Sequence, residues 1–167
     1  MDTVKTVRVL VTMRLERLIF VAAVPLLLAG PGMAADHPDM SGTWAIDAGK
    51  SDFGPMPVMT DLVVKVTVDG QDFHVNQTGG GQPEANLHFS TSGKEVTNEI
   101  PGGKMTSTHH WEGSDLLSDV KIVTDDGITI AFKDRISYSA DGMVMTMKRS
   151  ISGPMGEGQM TIVMNKK

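Results

Sequence analysis

Ser41-Gly42-Thr43-Trp44 is a Gly-x-Trp that opens a short strand, and it follows a segment with the features of a cleaved export signal. That segment decides which residues belong to the fold. Met13-Arg14-Leu15-Glu16-Arg17 supplies two arginines, and Leu18 to Ala29 (LIFVAAVPLLLA) is an apolar run broken by Pro25. Gly32-Met33-Ala34-Ala35 then supplies small residues. A positive start, a short apolar run and a small-residue cleavage site make a secretory signal. An uncleaved anchor is disfavoured, because crossing a hydrocarbon core of about 30 Å takes about 20 apolar residues. The sequence therefore predicts a signal peptide over residues 1–35, with Met13 as the expected start and cleavage after Ala34 or Ala35. Periplasmic or secreted localisation follows.

The remainder, residues 36–167, is 132 residues and has the size of one domain. It carries 9 Lys and 2 Arg against 13 Asp and 5 Glu, a net charge of −7. An acidic surface without a basic cluster argues against nucleic acid or an anionic membrane as partner. The chain has no cysteine, so stability rests on the core alone.

From Trp44 onward the pattern is short alternating runs between turn dipeptides. Val63 to Val68 (VVKVTV) precedes Asp69-Gly70, and Phe73 to Gln77 (FHVNQ) precedes Gly79-Gly80-Gly81. Further turns fall at Ser92-Gly93, Gly102-Gly103, Gly113-Ser114, Asp126-Gly127, Asp141-Gly142 and Gly156-Glu157-Gly158. Such pairs accept the positive φ of hairpin turns. No window longer than one turn has helical periodicity, so the chain reads as an all-β meander of about ten strands. The expected spans are 42–47, 61–69, 72–78, 84–91, 94–99, 104–112, 115–124, 128–138, 143–152 and 158–166. Closing the sheet hides its edges, which predicts a monomeric antiparallel up-and-down β-barrel, with a two-sheet sandwich as the alternative. Lys50 to Thr60 (KSDFGPMPVMT) is expected to be a loop or lid over one end.

Gly42-x-Trp44 on the first strand of an all-β chain of this length resembles the calycin group, which includes lipocalins, fatty-acid-binding proteins and their bacterial relatives. Asp47 to Gly54 (DAGKSDFG) is similar to small secreted bacterial lipocalin-like proteins, whose function is mostly unassigned. The resemblance implies that Gly42 and Trp44 close the barrel floor. It also implies that an arginine from a late strand packs across Trp44, either Arg149 or Arg135. The Thr-Asp-x-Arg motif of classical lipocalins is absent, as are their disulfide and C-terminal helix.

A turn at Asp141-Gly142 makes residue pairs across its hairpin sum to 283. Asp134 then lies opposite Arg149, Ile136 opposite Met147, Tyr138 opposite Met145 and Phe132 opposite Ile151, all on the apolar face. An Asp-Arg pair among such residues is an inward ion pair, because an unpaired charge there is too costly. It is either a structural floor pair near Trp44 or an anchor for an acidic or polar ligand head group. The same register places Arg135 against Lys148, an unfavourable like-charge pair.

Ten of the 132 residues are Met, including Met143, Met145 and Met147 on one strand, and Met160 and Met164 on the last. They fill a core, or line a lumen that adapts to varied apolar ligands, or offer soft ligands to Cu(I). His109 and His110 are adjacent and point to opposite faces. His74 and His88 lie on polar faces and form a solvated pair if their strands are neighbours. With no third or fourth ligand in view, no metal site is expected.

Catalytic signatures are missing: there is no Gly-x-Ser-x-Gly elbow, cysteine nucleophile, His-Glu-x-x-His or phosphate loop. The sequence points to a non-enzymatic barrel, without cofactor, that binds a small apolar or amphipathic molecule. The expected lining is Phe89, Trp111, Phe132, Tyr138, Met145 and Met147, with Asp134 and Arg149 as polar handle. The alternative is an interaction module with a filled core, such as an inhibitor or envelope-stress protein.

Overall fold

The computed structural model describes residues 37–154 and 156–167; the signal peptide expected over residues 1–35 lies outside them. Ten strands follow in order: β1 (Gly42–Ile46), β2 (Val63–Asp69), β3 (Asp72–Thr78), β4 (Ala85–Ser90) and β5 (Val96–Ile100) form the first half. β6 (Gly103–Glu112), β7 (Asp115–Thr124), β8 (Thr129–Tyr138), β9 (Val144–Gly153) and β10 (Gly156–Lys166) form the second. These are the ten strands that alternation predicts. Among the described residues no helix is long and apolar enough to cross a membrane.

The turn residues set the connections. Asp69 pairs with Asp72 across Gly70-Gln71, and Gly70 takes φ 61°, the left-handed conformation a tight hairpin needs. Each strand pairs antiparallel with its successor except β4 with β5, and β1 also pairs with β10. The sheet therefore runs β4-β3-β2-β1-β10-β9-β8-β7-β6-β5, and its two edges come together. That seam has no backbone ladder between β4 and β5. Instead the Asn98 side chain on β5 donates to the His88 carbonyl and accepts from the His88 N–H on β4, both at 2.8 Å. Past the end of β4, Gly93 N–H donates to the His109 carbonyl at 2.9 Å. The result is a nearly closed barrel.

The core sits toward the end where β1 begins, here called the floor. Trp44 is fully buried, and its indole N–H donates to the Met40 carbonyl at 3.0 Å. Leu116, Ile136, Met145, Ile162 and Met164 pack with it in one cluster. Residues 37–41 lie across this end: His37 stacks on Trp111 at 4.5 Å, and Asp39 faces Lys166 at 3.8 Å. Gly42 takes φ 121°, a conformation that side-chain-bearing residues rarely adopt, so the backbone calls for glycine at the first residue of the motif.

Residues 47–62, between β1 and β2, run up along β10 toward the opposite, open end. Asp52 exchanges backbone hydrogen bonds with Thr161 at 2.8 and 2.7 Å, and Phe53 and Leu62 insert into the core. The expected lid is thus anchored to the wall, while Met56 and Val58 at its crest are exposed.

Candidate functional site

The site grows from one row of side chains. Register aligns His109 with Ser118, Ser118 with Asp134, and Asp134 with Arg149, so four polar residues of β6, β7, β8 and β9 cross the inner face. The Arg149 guanidinium donates from Nε and Nη2 to the two Asp134 carboxylate oxygens, each at 2.7 Å. Ser118 Oγ donates to Asp134 at 3.4 Å. The Asp134 side chain is 3% exposed and that of Arg149 is 27% exposed, so the carboxylate is sealed and the guanidinium reaches solvent. Arg149 also lies 4.6 Å from the Phe132 ring centroid, within cation-π range.

His109 ends the row. Phe73 and Phe89 pack against its ring at 5.3 and 4.8 Å, and it is 6% exposed. Burial pushes its pKa down to about 4, against the opposing pull of Asp134, so the ring is neutral at pH 7. Its Nδ1 and the Oγ of Ser107, two residues earlier on the same face, are buried without a hydrogen-bond partner. Groups of that kind normally have one.

Toward the open end the inner face changes character. Met105, Ile122, Ile130, Phe132 and Ile151 point inward and remain only half-buried. An apolar ring that solvent reaches therefore stands above a filled floor, with Arg149 between the two.

The eight expected lining residues divide accordingly. Phe132 belongs to the open half, Asp134, Arg149 and the buried Phe89 to the middle, and Met147 lies one row nearer the floor, opposite Ile136. Met145 is buried in the floor cluster, Tyr138 packs at 5.8 Å on Trp44, and Trp111 lies beneath His37. The register sum of 283 is reproduced throughout β8 and β9, although the strands end at Tyr138 and Val144, so the turn is wider than two residues.

The cation over Trp44 is a correction. Lys166 Nζ lies 5.3 Å from the Trp44 ring centroid, in the place assigned to Arg149 or Arg135. Arg149 is held by Asp134. Arg135 lies on the outer face, where it binds Asp115 at 2.7 Å and Glu112 at 2.9 Å. Those two carboxylates relieve its position opposite Lys148, and they remove it from barrel closure. β1 pairs Trp44 directly with Lys166, a contact that sequence reasoning about arginines alone misses.

His109 and Ser107 were also missed, though the parity that places Trp111 inside places both of them inside. His74 and His88 meet on the outer face with ring centroids 5.0 Å apart, as a neighbouring-strand pair. Among the described residues no group of three or more His, Cys, Asp and Glu side chains is arranged to hold a metal. A concave saddle of about 580 Å³ lies on the outer surface of β6–β10, lined by His110, Leu117, Arg135, Lys148 and Thr161.

No protein-family model matches the chain, and no curated protein matches it in sequence. Solved structures match it in shape. A secretory abundant heat soluble (SAHS) protein from Ramazzottius varieornatus superposes with a TM-score of 0.59 at 11% identity, over 77% of this chain and 95% of that one. Zebrafish ileal bile acid-binding protein, solved with cholic acid, superposes with a TM-score of 0.55 at 20% identity, over 76% and 98% of the two chains. The fold is a calycin-like ten-stranded barrel. At these identities the likeness concerns the fold alone.

Proposed function

We propose that this barrel is exported and binds one small apolar or amphipathic molecule in the open half of its interior. The observation that carries the reading is the half-buried apolar ring of Met105, Ile122, Ile130, Phe132 and Ile151 above the Asp134–Arg149 pair. Apolar walls with a few fixed polar groups are the usual composition of small-molecule sites. The filled floor limits the ligand to the upper half. The export part rests on residues 13–35, and the DAGKSDFG resemblance agrees with it.

The test is a titration with Nile red, a neutral dye whose emission rises in apolar surroundings. Saturable one-to-one binding, weakened about tenfold by Phe132→Asp with the far-UV spectrum unchanged, supports the reading. Emission that never saturates, or that ignores Phe132→Asp in a folded protein, rejects it. The outer saddle favours a second reading, docking of a protein partner on β6–β10. In that case Lys148→Glu abolishes partner capture and leaves dye binding intact.

A further inference from the structure

Resting on the reading above, we infer that the polar end of the ligand is uncharged, a hydroxyl rather than a carboxylate, and that Ser107 and His109 receive it. Charge decides the first part. Among the described strand residues, inward-facing charged side chains are Asp134, Arg149 and, at the floor, Lys166. Arg149 gives two of its donors to Asp134, so the pair has no net charge to offer an incoming anion. A carboxylate brought to the guanidinium would also stand beside the Asp134 carboxylate, and like charges in a low-dielectric interior repel strongly. Lys166 is committed elsewhere, over Trp44 and toward Asp39.

Hydrogen bonding decides the second part. Ser107 Oγ and His109 Nδ1 are buried side-chain polar atoms without a partner, and they lie on one face of β6. A neutral imidazole offers one donor and one acceptor, and a serine hydroxyl donates once and accepts twice. A ligand hydroxyl can donate to one and accept from the other, satisfying both. A carboxylate is an acceptor only and can pair with His109 Nδ1 in just one of its two tautomers, whereas a hydroxyl pairs with either. Sites built to hydrogen-bond a hydroxyl reject analogues that cannot reciprocate, because the buried groups are then left unpaired. Phe73 and Phe89 close the far side of His109, so the apolar body of the ligand extends toward the open end.

Competition against bound Nile red at pH 7.5 tests this with a matched pair, 1-dodecanol and laurate, on the wild-type protein, Ser107→Ala and Asp134→Asn. Dodecanol should displace the dye at about tenfold lower concentration than laurate. Ser107→Ala, a nearly isosteric change, should weaken dodecanol about fivefold and leave laurate unaltered. Asp134→Asn, which leaves Arg149 with its charge unanswered, should improve laurate relative to dodecanol about tenfold. Laurate equal to or better than dodecanol on the wild type overturns the inference while the carrier reading stands. So does a Ser107→Ala protein that weakens both competitors equally. If the dye itself fails to bind, the carrier reading falls and this inference falls with it.

Discussion

Arg149 and Asp134 show how a charge is tolerated inside an apolar barrel: both carboxylate oxygens are taken by one guanidinium, whose outer edge stays in water. Removing one partner leaves the other uncompensated, whereas removing both leaves only apolar surface. Arg149→Met should therefore cost about 3–5 kcal/mol, and the double variant Asp134→Leu/Arg149→Met should recover most of it. Urea unfolding of the four proteins in the cycle measures this; simple additivity would contradict it. His109 makes a second prediction. Its folded pKa of about 4 lies below the ordinary 6.5, so between those values the unfolded chain takes up a proton that the folded chain refuses. Its contribution is complete above pH 6.5 and is lost as pH falls toward 4, a decline on the order of 3 kcal/mol. The difference in urea midpoint between wild type and His109→Gln should shrink on going from pH 7 to pH 4.5. A constant difference would show that His109 is not held neutral. At this scale the sequence was half legible. The Asp134–Arg149 pair followed from strand parity and one turn. The Lys166–Trp44 contact did not, because it depends on how the first and last strands meet.

The element that distinguishes this sheet is the seam between β4 and β5, where one asparagine replaces a ladder. Asn98 supplies both bonds to His88, so Asn98→Ala leaves the His88 N–H and C=O without partners on that side. The expected cost is about 1–2 kcal/mol. Amide exchange at His88 should accelerate at least tenfold, while amides in the middle of β7 and β8 remain slow. Uniform acceleration across the barrel would show instead that the seam is part of the global unfolding unit. The strands were legible throughout, because alternating runs and glycine turns mark them locally. The gap was not. β4 and β5 each read as ordinary strands, and which pair fails to bond is set by the curvature of the whole sheet. The segment 50–60 was legible as a non-strand stretch, since its prolines exclude a ladder, while its anchorage at Asp52–Thr161 joins residues far apart in sequence.

For the molecule as a whole, barrel closure rests on the pairing of β1 with β10, which joins the two extremes of the described chain. Lys167 N–H donates to the Thr43 carbonyl at 2.8 Å, and His37 stacks on Trp111 near the end of β6, so both extremes lie at the floor. That arrangement has a mechanical consequence. Tension applied between His37 and Lys167 acts on the near end of the β1–β10 ladder and peels its hydrogen bonds one after another, starting from Thr43–Lys167. Tension between His37 and Gly156 pulls the same two strands in opposite directions along their length, so that all the bonds resist at once. Single-molecule stretching should find the first geometry yielding at a markedly lower force than the second. Equal forces would mean that another part of the barrel gives way first. A pull between His37 and Lys167 thus begins by lifting the floor, whereas a pull between His37 and Gly156 must break the wall.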